Sequence, residues 1–324
     1  MEQPIAKVSE NEMPRASFSE QLGLLALQLR IKQWPKNLIV FAPLLFSGKF
    51  SEPHSIVAAI FCFVAFCLIS SGIYIFNDIT DVERDRAHPV KKGRPIASGR
   101  LSIKLAAATG LFLFAMGGCM AFLLRPSLFI VCLGYVVLNL VYSWILKNVA
   151  ILDVMCISCS FVFRAVAGAV AVSVLPSSWF LLCTTLGALY LAMEKRRQEL
   201  ILLAADCASH RKALSDYSLS LIMRFEGMVV PSLVTSYAFY TFQSPHGQWM
   251  MITIPVVLYG IMRYQLLSEK GTSTGTPEEV LLKDRPIQMT LILWVLICAL
   301  VVYGNPGDIV RSIAHHVDSL RPVP

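Results

Sequence analysis

The chain has 324 residues, of which 56% are apolar and only 15% charged, and its mean hydropathy is +0.62. A soluble domain carries about 25% charge, so the composition argues against a water-soluble globular protein, and so much apolar surface argues against a disordered chain. The formal charge is nevertheless +7, from 28 basic and 21 acidic residues.

Residues 1–20 are polar and lack a basic stretch followed by an apolar core, so they read as a disordered cytoplasmic tail without a cleavable signal. Apolar runs then cover 22–47, 55–76, 102–123, 127–146, 151–173, 177–195, 217–242, 249–267 and 287–304. Most reach the ~20 residues that a bilayer-crossing helix needs. Trp34-Pro35 interrupts the first run, because proline removes a backbone donor. The expected fold is all-α: a polytopic bundle of about nine membrane helices over 21–305, with a short C-terminal tail at 306–324.

With the N-terminus placed inside and the spans alternating, 22 basic residues fall on the inner side. Only Lys49, Arg125, Arg311 and Arg321 fall outside, while Arg164 and Arg224 lie within spans. The bias predicts an inner-membrane protein with its N-terminus in and C-terminus out. The outer connections are short, whereas the inner stretches 77–101, 195–216 and 268–286 are long and charged. Any chemistry is therefore expected on the cytoplasmic face. Nine cysteines, mostly inside spans, do not read as a disulfide framework. Cys156 and Cys159 form a CxxC within an apolar run, where small residues serve helix packing.

The most informative segment runs from Asn77 to Pro95. On a helix Asp78, Asp81 and Asp85 fall at i, i+3 and i+7, so three carboxylates share one face, and Asn77 lies one turn before Asp81. Such a stripe repels itself without cations, and carboxylate oxygens suit Mg²⁺, which commonly bridges to substrate phosphates. Lys91, Lys92 and Arg94 follow, residue types that contact phosphate oxygens. A solvated helix end of mixed charge is the plainer reading. The pattern favours Mg²⁺-assisted departure of a pyrophosphate.

The N-D-x-x-D-x-x-x-D run at the end of the second span resembles the UbiA-type intramembrane prenyltransferase superfamily. Arg30 to Asn37 looks like the first-helix signature of that family, and implies substrate contacts from Lys36 and Asn37. Ordinary members carry a second aspartate-rich motif after the sixth helix. Here that stretch reads Glu194-Lys195-Arg196-Arg197-Gln198-Glu199, and no D-x-x-x-D follows. Four other elements resemble a branch that moves a 5-phosphoribosyl group from phosphoribosyl pyrophosphate to a polyprenyl (decaprenyl) phosphate, with Mg²⁺. They are His88-Pro89 through Pro95; Tyr142-Ser143 and Lys147 with Asp153 and Phe163-Arg164; Lys195-Arg196 with Glu199; and Arg263-Tyr264 with Glu278, Glu279, Asp284 and Arg285. The resemblance covers about residues 22–290 and implies that Asn77, Asp78, Asp81 and Asp85 hold the metal.

Other charged positions keep two readings each. Asp153 and Arg164 lie about three helical turns apart on one face. Arg164 reads as an anion binder and Asp153 as a metal or ribose contact, or the two form a structural buried pair. Tyr142 and Lys147 read as phosphate contacts or as an interfacial belt with a snorkelling lysine. Lys195 and Arg196 read as phosphate ligands and Glu199 as a metal ligand or as orienting a base, or the group reads as an inner-face anchor; Lys195 and Glu199 are spaced i,i+4. Tyr217 and Arg224 are spaced i,i+7, so Arg224 either reaches the same cavity or snorkels.

Two alternatives remain. One is a prenyl transfer from a prenyl diphosphate to an aromatic acceptor. The other is a lipid-binding or transport protein, disfavoured because no broken helices recur in paired repeats. The expected partners are phosphoribosyl pyrophosphate, a polyprenyl phosphate and membrane lipids. No nucleic acid is indicated, and a homo-oligomer is left open.

Overall fold

The computed structural model describes residues 18–87, 91–204, 212–245, 247–269, 280 and 283–304. Their regular structure is all helical, with no strand among the described residues. The helices are α1 (Phe18–Gln28), α2 (Ala42–Phe46), α3 (Pro53–Thr80), α4 (Val82–Ala87), α5 (Ile103–Leu124) and α6 (Pro126–Trp144). They continue with α7 (Leu152–Ala171), α8 (Ser178–Ala204), α9 (Lys212–Ser215), α10 (Leu219–Phe242), α11 (Ile254–Glu269) and α12 (Arg285–Tyr303).

Seven segments are long and apolar enough to cross a membrane: α3, α5, α6, α7, α10, α12, and Trp249–Glu269, which contains α11. The other two apolar runs behave differently. The run at 177–195 lies almost wholly in α8, a 27-residue helix that carries the charged stretch Glu194–Glu199 before its apolar last turn. The run at 22–47 is broken into α1, a 3-10 segment Ile31–Phe41 and α2. Pro35 sits inside that 3-10 segment, as the missing donor foretells. Large apolar side chains such as Leu123 (78% exposed) and Leu300 (68%) face outward. That much exposed apolar surface needs a lipid solvent, and the chain is a multi-pass membrane protein.

The chain divides into two compact units, one from residues up to Ile31 with Leu68–Met116, the other from Lys32–Cys67 with Gly117 onward. In the first, Ile75, Ile96, Leu101, Ala106 and Leu113 form the core, covered by Leu25, Leu29 and Ile79. Gly72 and Gly110 let α3 and α5 approach closely: a Cβ on Gly72 would stand 3.2 Å from the Gly110 carbonyl oxygen. Small residues serve this purpose where lipid gives helices no hydrophobic reason to associate.

In the second unit α6 packs on α7, α7 on α8, and α8 on α10. Tyr190, Met193, Tyr217, Ile222 and Val229 fill the space around α8 and α10. Helix starts are chemically marked. Ser218 accepts a hydrogen bond from the Leu221 N–H, Asp284 accepts from the Ile287 N–H, and Pro126 opens α6. The eight described cysteines are free thiols. His88, Pro277, Glu278 and Glu279 lie outside the described residues, as do most of the expected tails.

Candidate functional site

The acidic stripe belongs to the first unit. Helix α3 has 28 residues, about 42 Å at 1.5 Å per residue. That exceeds the ~30 Å apolar thickness of a bilayer, so its polar last turn has room to leave the hydrocarbon. The helical ladder carries across the α3–α4 junction: the Asp81 N–H donates to the Asn77 carbonyl (2.9 Å) and the Asp85 N–H to that of Asp81 (2.8 Å). The spacing read from the sequence therefore holds in space. Asp78 and Asp85 are buried, each 3% exposed, while Asn77 and Asp81 are half-buried.

These carboxylates are held by arginines. Asp78 Oδ1 accepts from Arg30 Nη2 and, at 3.0 Å, from Arg94 Nη1; its Oδ2 accepts from the Gln28 amide. Arg94 Nη1 also donates to Asp85 Oδ2 at 2.5 Å and so bridges the two aspartates. Arg30 lies 5.0 Å over the Tyr74 ring and has a left-handed backbone (φ 51°). The loop carrying Arg94 is braced by Arg86 Nε on the Ala97 carbonyl, and Lys91 and Lys92 form its 3-10 turn. Among the described residues no three His, Cys, Asp or Glu side chains are arranged around a common metal position. The donor chemistry still fits a hard divalent cation. Two guanidiniums on two buried carboxylates mark a place that demands positive charge.

The second unit holds three further clusters. In the first, Arg164 of α7 is enclosed. Its Nε donates to Asn37 Oδ1 (2.7 Å), its Nη2 to the Tyr135 hydroxyl (2.6 Å) and its Nη1 to the Ser160 carbonyl (2.9 Å). The guanidinium also lies 4.8 Å from the Tyr135 ring centre. Asn37 reaches on to Cys67 Sγ, and Lys36 beside it is half-buried. The anion-binding expectation for Arg164 meets a guanidinium already engaged on three sides by protein.

The second cluster joins α7, α8 and the approach to α10. Asp153 is 0% exposed and Arg196 1%. Asp153 Oδ1 accepts from the Tyr217 hydroxyl, its Oδ2 lies 3.4 Å from Arg196 Nε, and Arg196 Nη1 donates to Glu199 Oε2 at 2.5 Å. Glu199 pairs with Arg196 at i,i+3. Asp153 Oδ2 and Arg196 Nε and Nη2 are buried without a hydrogen-bond partner, a costly condition. Lys147 is buried in the 3-10 turn Leu146–Asn148, and Tyr142 and Lys195 are half-buried. Arg224 does not join Tyr217: it is exposed, and its Nε reaches the Ser220 carbonyl of its own helix. The reason is local. Ser218 caps α10 after Tyr217, so helical spacing does not run from Tyr217 to Arg224.

The third cluster lines a groove of about 620 Å³ bordered by Glu194, Arg197, Glu226, Gln265 and Glu269. Ser268 donates to Glu194 and receives from Gln198 (2.7 Å), and Arg197 pairs with Glu269. Nearer α12, Arg263 holds Asp284 through Nη2 at 2.9 Å. That hydrogen bond keeps the Asp284 carboxyl below the ordinary carboxylate range. Gln28 and Tyr135 carried no signal in the sequence. Arg30 did, as the head of the Arg30–Asn37 run.

The chain belongs to the UbiA prenyltransferase family, whose model matches residues 38–274. It is 34% identical to decaprenyl-phosphate phosphoribosyltransferase of Mycolicibacterium smegmatis over 313 residues, covering 91% of this chain and 98% of that protein. It is also 34% identical to the protein of that name from Corynebacterium glutamicum over 287 residues, 86% of each chain. Among solved structures, a UbiA homolog from Archaeoglobus fulgidus bound to GPP and Mg²⁺ aligns with a TM-score of 0.68. It is 15% identical and covers 86% of this chain and 99% of that one.

Proposed function

We propose that this protein transfers the 5-phosphoribosyl group of phosphoribosyl pyrophosphate to a polyprenyl phosphate and releases pyrophosphate. The observation that carries this reading is the match, along nearly their whole length, to two phosphoribosyltransferases that act on a prenyl phosphate lipid. The working face is cytoplasmic, where the water-soluble donor is found, in an inner membrane crossed with the N-terminus inside.

Asn77, Asp78, Asp81 and Asp85 would hold a divalent cation, Mg²⁺ by the chemistry of the oxygen donors. When bound, it neutralises charge that builds on the departing pyrophosphate. The chain itself positions two anions that repel each other. In the first unit Lys91 and Arg94 would bind the donor phosphates; within the second, Lys36, Tyr142, Lys147, Lys195 and Arg196 are candidate phosphate contacts of their own. Asp153 and Glu199 orient Arg196, and Asn37 and Arg164 fix the first-helix segment. The C1–O bond to pyrophosphate breaks, and an oxygen of the lipid phosphate forms the new bond to C1 from the opposite face, with inversion. That phosphate monoester is ionised near neutral pH, so no proton need be removed.

The test is donor choice. Purified protein is incubated with radiolabelled phosphoribosyl pyrophosphate and a polyprenyl phosphate, and separately with a prenyl diphosphate and an aromatic acceptor. Labelled lipid from the first pair alone is expected, and Asp81→Asn should abolish it. Product from the second pair alone would overturn the reading.

A further inference from the structure

We infer that Arg30 and Arg94 are exchangeable counter-ions, seated here on the aspartates and displaced onto the donor pyrophosphate when a divalent cation takes those carboxylate oxygens. The inference deepens the proposed function, and rests on its placement of cation and pyrophosphate at this stripe.

The argument begins with lone pairs. Asp78 Oδ1 accepts from both Arg30 and Arg94, which uses both of its acceptor positions, and Gln28 holds Oδ2. Arg94 also takes Asp85 Oδ2. Both carboxylates are buried, and an uncompensated buried charge is strongly destabilising. The two guanidiniums therefore perform the neutralisation that a divalent cation would perform in their place. The two arrangements exclude each other. A divalent ion needs those oxygens, and its charge at a few ångströms repels both arginines.

Exposure shows which partner is free to move. The Asp78 and Asp85 side chains are 4% and 5% exposed, against 25% for Arg30 and 31% for Arg94. The acids are fixed in the interior of the unit, and the arginines stand at its rim. A guanidinium released there carries a fork of donors that matches two oxygens of a phosphate. Arg30 and Arg94 are thus positioning residues with two stations. Cation binding at the acids frees them for the leaving group, so cation and pyrophosphate bind cooperatively. By linkage, each raises affinity for the other equally.

The experiment is a Mn²⁺ titration of purified protein by electron paramagnetic resonance, with and without inorganic pyrophosphate. Arg94→Ala should bind Mn²⁺ alone on the order of tenfold more tightly than wild type, while losing the gain in Mn²⁺ affinity that pyrophosphate brings. Arg30→Ala leaves Arg94 on Asp78 and so keeps the fold compensated; it should shift both quantities the same way by less. Unchanged or weaker Mn²⁺ binding in both variants would overturn the inference, because arginines that merely brace the acids would lose the site when removed. The titration contains no ribose donor and no lipid, so its outcome is separate from that of the donor test.

Discussion

The Tyr217 hydroxyl donates to the Asp153 carboxylate across 2.8 Å, and the same oxygen accepts from the Ile151 N–H at 2.7 Å. Ile151 is a β-branched residue at φ 70°, a conformation that costs energy unless its surroundings hold it. Tyr217 thus clamps the entry to α7 and aims Asp153 toward Arg196. Tyr217→Phe leaves a buried carboxylate oxygen and a backbone N–H without that partner. We expect a loss of about 1–3 kcal/mol, read as a lower thermal midpoint in detergent, together with reduced transfer. An unchanged midpoint would show that the clamp contributes nothing.

Gly168 of α7 offers a sharper steric test. A Cβ there would stand 2.8 Å from the carbonyl carbon of Val40. Gly168→Ala must push the 3-10 segment off α7, at an expected cost of about 1–3 kcal/mol. Gly227→Ala is the control. Nothing lies within 4 Å of its new Cβ, so helix propensity alone acts and stability should hold or rise by less than about 1 kcal/mol. Thermal unfolding followed by size-exclusion fluorescence compares the two.

Arg164→Lys should fail where a charge-only account would allow it. Lysine is a point charge and cannot reach Asn37, Tyr135 and Ser160 together. We expect a loss of folded yield equivalent to about 1.5–3 kcal/mol, the worth of a buried hydrogen bond to a charged group. Retained monodisperse protein at wild-type yield would argue that the network is dispensable.

The Arg263–Asp284 pair predicts an acid limit for α12. The folded carboxyl is held below its ordinary range, so the pair stabilises above the ordinary carboxylate pKa and the contribution disappears as pH falls through the lower folded value. Hydrogen exchange at the first turn of α12, where Asp284 receives the Ile287 N–H, should stay protected as pH falls through the ordinary carboxylate range and open only below it. Arg263→Ala should move that midpoint upward.

The legible part of this molecule is the part written in local periodicity. Apolar runs marked the helices, and the i, i+3, i+7 aspartates do share one helix face because the hydrogen-bond ladder crosses the α3–α4 junction. Trp34-Pro35 announced a break in the first run. What replaces the helix was not legible, since the 3-10 path of Ile31–Phe41 depends on Gly168 admitting Val40. The arginine cover on Asp78 was hidden for the same reason. Arg30, Gln28 and Arg94 lie 48, 50 and 16 residues from it, beyond any helical repeat. The Tyr217–Arg224 spacing misled because a serine cap starts the helix between them.

The enclosure of Arg164 also bears on how the chain is made. Its partners precede it, Asn37 by 127 residues and Tyr135 by 29. During N-to-C synthesis both are made before Arg164. The segment with the most costly side chain for a bilayer therefore emerges after the polar groups that seat it. Deleting Asn37 would impose its penalty at insertion, before there is a finished enzyme to lose activity.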